Sequence, residues 1–215
     1  MLTIKRFENN AVFENCYIVN DNTLEAVIID CGAYSAHEEQ QISQYIKDNN
    51  LKIKHLLCTH AHFDHIFGNA FIYKTYQVVP ECHPADKNLH SGLAEQVAIF
   101  LGENYTKEIP SVGKMLNEGD SIEFGTHQFS VIHTPGHTPG GVCFYCSEEK
   151  VIFTGDSLFQ MSIGRTDFPG GNYRELIESL NTKIMTLPED VQVYPGHGNP
   201  TTIGFEKQHN PYLTT

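Results

Sequence analysis

The residues of this 215-residue chain best suited to chemistry are crowded into CTHAHFDHIFGN at 58–69. His60, His62, Asp64 and His65 fall within six positions there. Imidazole nitrogens and carboxylate oxygens are the usual ligands of zinc and related divalent ions. His60 and His62 stand at i and i+2, which in an extended segment puts both rings on one side. Asp64 and His65 follow where the chain turns. One catalytic ion takes about three protein ligands and keeps a position open. Four donors in one segment exceed that need once ligands from elsewhere join.

Those other donors are visible. TPGHTPGG carries His137, TGDS carries Asp156 after the run VIFTG, and YPGHG carries His197 after the run VQVY. Each sits at the end of an expected strand, beside glycine, which permits tight turns and close backbone approach. Taken singly, His137 and His197 read as turn residues, and Asp156 as a cap of the next turn. Taken jointly with the HxHxDH cluster, they predict a single metal centre fed by four strand-end loops.

The elements that must position these loops follow from hydrophobic period. LTIKRF, NCYIVND and LEAVIID read as strands. Residues 35–50 have helical spacing of Ile42, Tyr45 and Ile46, with Ser35 as N-cap. KIKHLLC is a buried strand leading into the cluster, 64–76 turns into a helix, and QVVP is a short strand. Residues 84–114 read as helical and then loose, with Leu93, Val97 and Phe100 or Leu101 on an apolar face. SIEF, QFSVIHT, GVCFYCS and KVIFTG are strands, 172–187 is a helix, and VQVYPG is a last strand. Strands then helix, twice, predicts two β layers with helices packed outside. Length and pattern predict one domain over 1–215.

Composition narrows the function. The net charge is −12 and no basic run occurs, which argues against a nucleic-acid partner. No apolar run approaches the ~20 residues that span a bilayer, and the N-terminus lacks an apolar signal region, so no membrane partner and a cytoplasmic location are expected. The six cysteines read as free core thiols. Cys143 and Cys146 form a CxxC in a strand, where i and i+3 face opposite sides, so a shared metal is not expected.

The motifs IIDCG at 28–32, THAHFDH at 59–65, TPGHT at 134–138, FTGDSLF at 153–159 and YPGHG at 194–198 together resemble the metallo-β-lactamase superfamily along the whole chain. The resemblance implies an α+β fold, a four-layer αββα sandwich. It implies two divalent ions, zinc foremost, with iron or manganese as alternatives. The positions matching its ligands are His60, His62 and His137 for one ion, and Asp64, His65 and His197 for the other. Asp156 would bridge them, and Asp30 would accept a ring N–H from a ligand histidine. Within the superfamily, FQMSIGRTDFPGGN at 159–172 and TTIGFEKQHNPYL at 201–213 resemble the glyoxalase II group. Tyr212 stands where that group's tail has Phe, and no counterpart is expected of the helical domain that supplies basic glutathione contacts in full-length glyoxalase II.

The implied activity is hydrolysis of a thioester, such as S-lactoylglutathione, by a metal-bridging hydroxide, with Asp64 orienting the attacking water. Arg165 is the candidate for a substrate carboxylate, with an internal pair to Asp167 as the alternative. Tyr173 and Tyr145 are candidate pocket residues, for which packing is the alternative reading. His133 reads as a strand-end core histidine, and the remaining histidines as surface or structural. The expected partner is a small-molecule thioester, and the expected state a monomer or homodimer. Competing readings are a mononuclear iron persulfide dioxygenase using His60, His137 and Asp156, a phosphodiesterase or nuclease, and a non-catalytic metal-binding protein.

Overall fold

Alternation along the first strands dictates the layers. In a computed structural model, which describes residues 1–213, strand β2 (Glu14–Asn20) is buried along its whole length. Its Tyr17 and Val19 face one cluster of apolar side chains, while Cys16 and Ile18 face another. Strand β3 (Glu25–Ile29) divides in the same way, Val27 and Ile29 against Ala26 and Ile28. A strand apolar on both faces must be covered on both faces.

The first sheet has the order β1-β2-β3-β4-β5, with β1 at Thr3–Asn9, β4 at Lys52–Leu57 and β5 at Pro80–Glu81. Helix α1 (Ala36–Asp48) carries the chain from β3 to its parallel neighbour β4. Ser35 caps it, and Glu38 completes a capping box. Two short helices follow β4, α2 (Phe63–Ile66) and α3 (Asn69–Tyr76), and after β5 come α4 (Lys87–Ser91) and α5 (Leu93–Leu101).

The second sheet has the order β13-β12-β9-β8-β7-β6. Its strands are β6 (Ser121–Phe124), β7 (His127–His133), β8 (Val142–Cys146), β9 (Val151–Gly155), β12 (Gln192–Pro195) and β13 (Thr201–Thr202). A small hairpin, β10 (Leu158–Phe159) with β11 (Ser162–Ile163), follows β9. Helix α6 (Tyr173–Ser179) runs into one π-helical turn, and α7 (Ile203–His209) closes the described chain.

Three clusters fix the stacking. Tyr17, Ile29 and Leu57 of the first sheet meet Phe124, Phe129, Phe144 and Phe153 of the second. Ile42, Ile46 and Ile72 cover the outer face of the first sheet. Leu176, Leu180, Ile184 and Ile203 cover the outer face of the second. This is the αββα sandwich. Each fully buried ring contributes on the order of 1.5–3 kcal/mol by leaving water.

All six cysteines are free and buried. Cys146 lies in the cluster between the sheets and Cys143 in the one under α6, on opposite faces as strand geometry requires. Three expectations shift. The strand expected at QVVP is the pair Pro80–Glu81. The helix expected over 64–76 is broken at Gly68, whose N–H donates to Cys31 O at 2.7 Å. In α5, Leu93 and Val97 are buried, but Phe100 is 42% and Leu101 37% exposed, because Phe100 packs on the rings of Phe63 and Phe168 and not in a sheet core. No helix among the described residues is long and apolar enough to cross a membrane.

Candidate metal centre

The seven donors come from the carboxyl ends of four strands. His60 and His62 lie in the extended segment after β4, and Asp64 and His65 in the short helix α2. His137 sits in the turn between β7 and β8, Asp156 directly after β9, and His197 after β12. All seven come together. One donor atom each of His60, His62 and His137 lie within 4.8 Å of one another, as do those of His60, His65 and Asp156, and those of Asp64, His65 and His197.

Ring orientation shows what the cluster can accept. His137 Nδ1 donates to Arg165 O at 2.7 Å. Thr59 Oγ1 gives its only proton to Asp30 Oδ2 at 2.7 Å and therefore accepts from His60 Nδ1 at 3.1 Å. His65 Nδ1 donates to Asp30 Oδ2 at 3.0 Å, and His197 Nδ1 to Val12 O at 3.1 Å. In each neutral ring Nε2 is left as a lone pair. Those lone pairs face each other: His60 and His137 Nε2 are 3.2 Å apart, and His65 and His197 Nε2 3.3 Å. His62 turns Nδ1 inward instead, 2.9 Å from His137 Nε2. Converging lone pairs repel unless a cation lies among them.

In the first group, neither His62 nor His60 readily takes up a proton. Burial, with His137 next, pulls His62 down to about 3, and burial with the neighbouring imidazoles holds His60 well below its usual range. The second group is more anionic. Burial would lower His65, but Asp156, Asp64 and Asp30 outweigh it and raise the imidazole well above its usual range. Burial opposes ionisation of Asp156 as well, yet His65 holds its carboxyl well below the ordinary value. Asp156 reaches both groups, with Oδ2 3.6 Å from His137 Nε2 and 3.7 Å from His197 Nε2. Its Oδ1 is buried with no hydrogen bond, although His65 Nε2 lies 3.3 Å away. The neutral inward nitrogens of His60 and His62, the ionised carboxylates of Asp64 and Asp156 and an orphaned carboxylate oxygen fit divalent ions.

The supports explain the local sequence. Asp30 follows β3 with φ 49°, an uncommon conformation for a residue with a side chain. That turn lets one carboxylate accept from Thr59 N, Thr59 Oγ1 and His65 Nδ1. Strand β2 holds the His197 loop. Asn15 Nδ2 donates to Pro195 O and Gly198 O, and Tyr17 Oη to Pro195 O at 2.8 Å. Gly196 must be glycine, since a Cβ there would stand 2.3 Å from Asp156 Oδ1 and 2.7 Å from the His65 ring.

Two acids escaped the sequence analysis. Buried Asp86 accepts from Ala61 N at 3.0 Å, Thr138 Oγ1 at 2.8 Å and Gly140 N at 2.7 Å. It ties the residue between His60 and His62 to the turn that carries His137. Glu14 is fully buried beside Asp30 and His65, and burial pushes its carboxyl well up. Neither lies in a motif; the HPAD turn at 83–86 marks Asp86 only as a turn acid.

The remaining candidates lie around the rim. Arg165 makes a bidentate pair with Asp167, both bonds 2.7 Å, and its guanidinium lies 3.7 Å over the Phe168 ring. The internal pairing is the one the structure adopts. Tyr173 begins α6 and is 51% exposed. Tyr145 packs against the cluster under α6. His133 is half-buried rather than in the core, because the end of β7 is open to solvent; it stacks on His83 at 4.0 Å.

Known proteins give the same picture. The chain is 40% identical over 205 residues to hydroxyacylglutathione hydrolase GloC of Haemophilus influenzae, covering 94% of this chain and 93% of that one. Among solved structures it is 36% identical to the BLEG-1 B3 metallo-β-lactamase, with a TM-score of 0.90 over 99% of this chain and 100% of that chain. It is 34% identical to TTHA1623, solved in a di-iron-bound form, with a TM-score of 0.85 over 97% and 100%. The family model of the metallo-β-lactamase superfamily matches residues 9–197, and the chain belongs to that superfamily.

Proposed function

We propose that this chain is a two-metal hydrolase of acyl thioesters. The observation that carries the proposal is the pair of inward-facing donor groups joined by Asp156. His60 Nε2, His62 Nδ1 and His137 Nε2 would hold one ion, and Asp64, His65 and His197 the other. Zinc is the expected metal; the di-iron form of TTHA1623 makes iron the alternative. Bound there, such a pair supplies a water of lowered pKa and a Lewis acid for a carbonyl oxygen.

The chain's own residues do the rest. Burial opposes it, but His65 and then His197 keep the Asp64 carboxyl below its ordinary value, so it is an anionic acceptor at neutral pH. Its Oδ2 lies 3.2 Å from His197 Nε2, on the edge of the second group, where it can orient the attacking water. Asp30, Thr59 and the Arg165 carbonyl fix ring tautomers, so the inward nitrogens need not reorganise. No serine or cysteine nucleophile is required.

The thioester class is supported by the likeness to GloC, named a hydroxyacylglutathione hydrolase. The likeness to a B3 metallo-β-lactamase makes a β-lactam the second substrate class. Metal-loaded protein assayed without oxygen against S-lactoylglutathione and a cephalosporin separates them. The proposal expects thiol release at least 100-fold faster than lactam opening. The reverse order would assign the site to β-lactams.

A further inference from the structure

Beside the metal centre lies a cavity of about 320 Å³ with His62 at one end. Ile99, Phe100, Phe168 and Pro169 form its walls. Its surface explains the exposed end of α5: Ile99 is 68% and Phe100 42% exposed, yet both line this space. The walls are built and held. Phe100 stacks on Phe63 at 5.2 Å and meets Phe168 edge-on at 5.2 Å, and Phe168 meets the His62 ring at 5.5 Å.

Polar recognition is scarce. Gln96 spends its side chain on Phe63 N, Ala61 O and Leu89 O. No lysine or arginine is among its lining residues, and besides His62 and Gln96 the polar side chains there are Asn88 and the acid Glu95. The Arg165 guanidinium, 3.7 Å over the Phe168 ring, is paired with Asp167 and is not among the lining residues. An anionic arm would find an acid and no cation here.

We infer that this cavity takes an uncharged, apolar acyl chain, so that the substrate is a medium-chain acyl thioester rather than one recognised through an anionic tripeptide thiol. This rests on the thioester reading above. The acyl end is the occupant because a fatty chain ends in a methyl group, which apolar walls can cover. A carrier thiol continues into polar and charged atoms. The volume equals roughly ten waters, room for a chain of on the order of eight carbons.

The test pairs turnover with binding. In the turnover arm, metal-loaded protein receives acyl thioesters of one small uncharged thiol, from acetyl to dodecanoyl. In the binding arm, calorimetry follows unreactive thioethers of the same chain lengths. Both kcat/KM and affinity should rise about two- to four-fold per methylene and level off near eight carbons. Ile99→Glu should cut the octanoyl-to-acetyl ratio of kcat/KM at least ten-fold. A flat acyl series in both arms overturns the inference, as does a kcat/KM for S-lactoylglutathione above that of every chain in the series. In a third series, of acetyl thioesters of alkyl thiols of increasing length, a chain-length response there instead of in the acyl series overturns it too. Chain-dependent binding without any turnover would sustain the apolar site and reject the thioester reading. Turnover with flat binding and flat kcat/KM would do the opposite.

Discussion

Four of the five histidines at the centre commit Nδ1 to a fixed acceptor, so each can present only Nε2 inward. Asp30 serves two of them, directly for His65 and through Thr59 for His60. Asn tolerates the left-handed backbone that Asp30 adopts, so Asp30→Asn isolates the carboxylate's chemistry from backbone strain. Its amide cannot replace both acceptor oxygens. Metal affinity should fall roughly 10–100-fold, read by competition with a chelator. Unchanged affinity would mean that the His65 tautomer is fixed without Asp30.

At the scale of elements, the centre is four loops that must be held in register. Asp86 stitches the His60–His62 segment to the His137 turn by three hydrogen bonds. Asp86→Ala should therefore loosen the first group, lowering metal affinity there by roughly 10–100-fold while turnover falls with it. Loss of stability with metal affinity intact would make Asp86 a purely structural stitch. The donors Asp156 and His197 were legible in the sequence because each follows a strand whose apolar run and terminal glycine announce the loop, in VIFTGD and VQVYPGH, and the HxHxDH cluster was legible by its density. Asp30 was legible through IIDCG. Asp86 was not, because its partners lie 25, 52 and 54 residues away and no local pattern encodes them. The hold of Asn15 and Tyr17 on the Pro195–Gly198 loop was hidden for the same reason. The exposed end of α5 misled the periodicity: Phe100 lines a cavity instead of a core.

For the whole molecule, the centre exists only when both sheets pack. His60, His62, Asp64 and His65 follow the first sheet, and His137, Asp156 and His197 the second. We propose on that ground that the chain folds as one cooperative unit. Its stability carries a histidine signature away from the metal-centre donors. His90 is buried, accepts from Asn69 Nδ2 at 3.2 Å, and is pulled down to about 4 by burial. Unfolded, it would bind a proton near 6.5. Between those values the unfolded chain binds more protons, so stability is present above about pH 6.5 and is lost as pH falls toward 4. The His90 share of that loss is about 3 kcal/mol. Denaturant unfolding of wild type and His90→Gln from pH 4 to 7 should show the difference between them growing with pH. Parallel curves would show that His90 does not titrate on unfolding.

The central claim is a two-metal site, and the most direct measurement is the number of ions bound per chain in protein purified without chelator. The account predicts two ions, falling to one in Asp64→Ala, with thiol release that needs no oxygen. A single iron in wild type, unaffected by Asp64→Ala and accompanied by oxygen uptake, would contradict it.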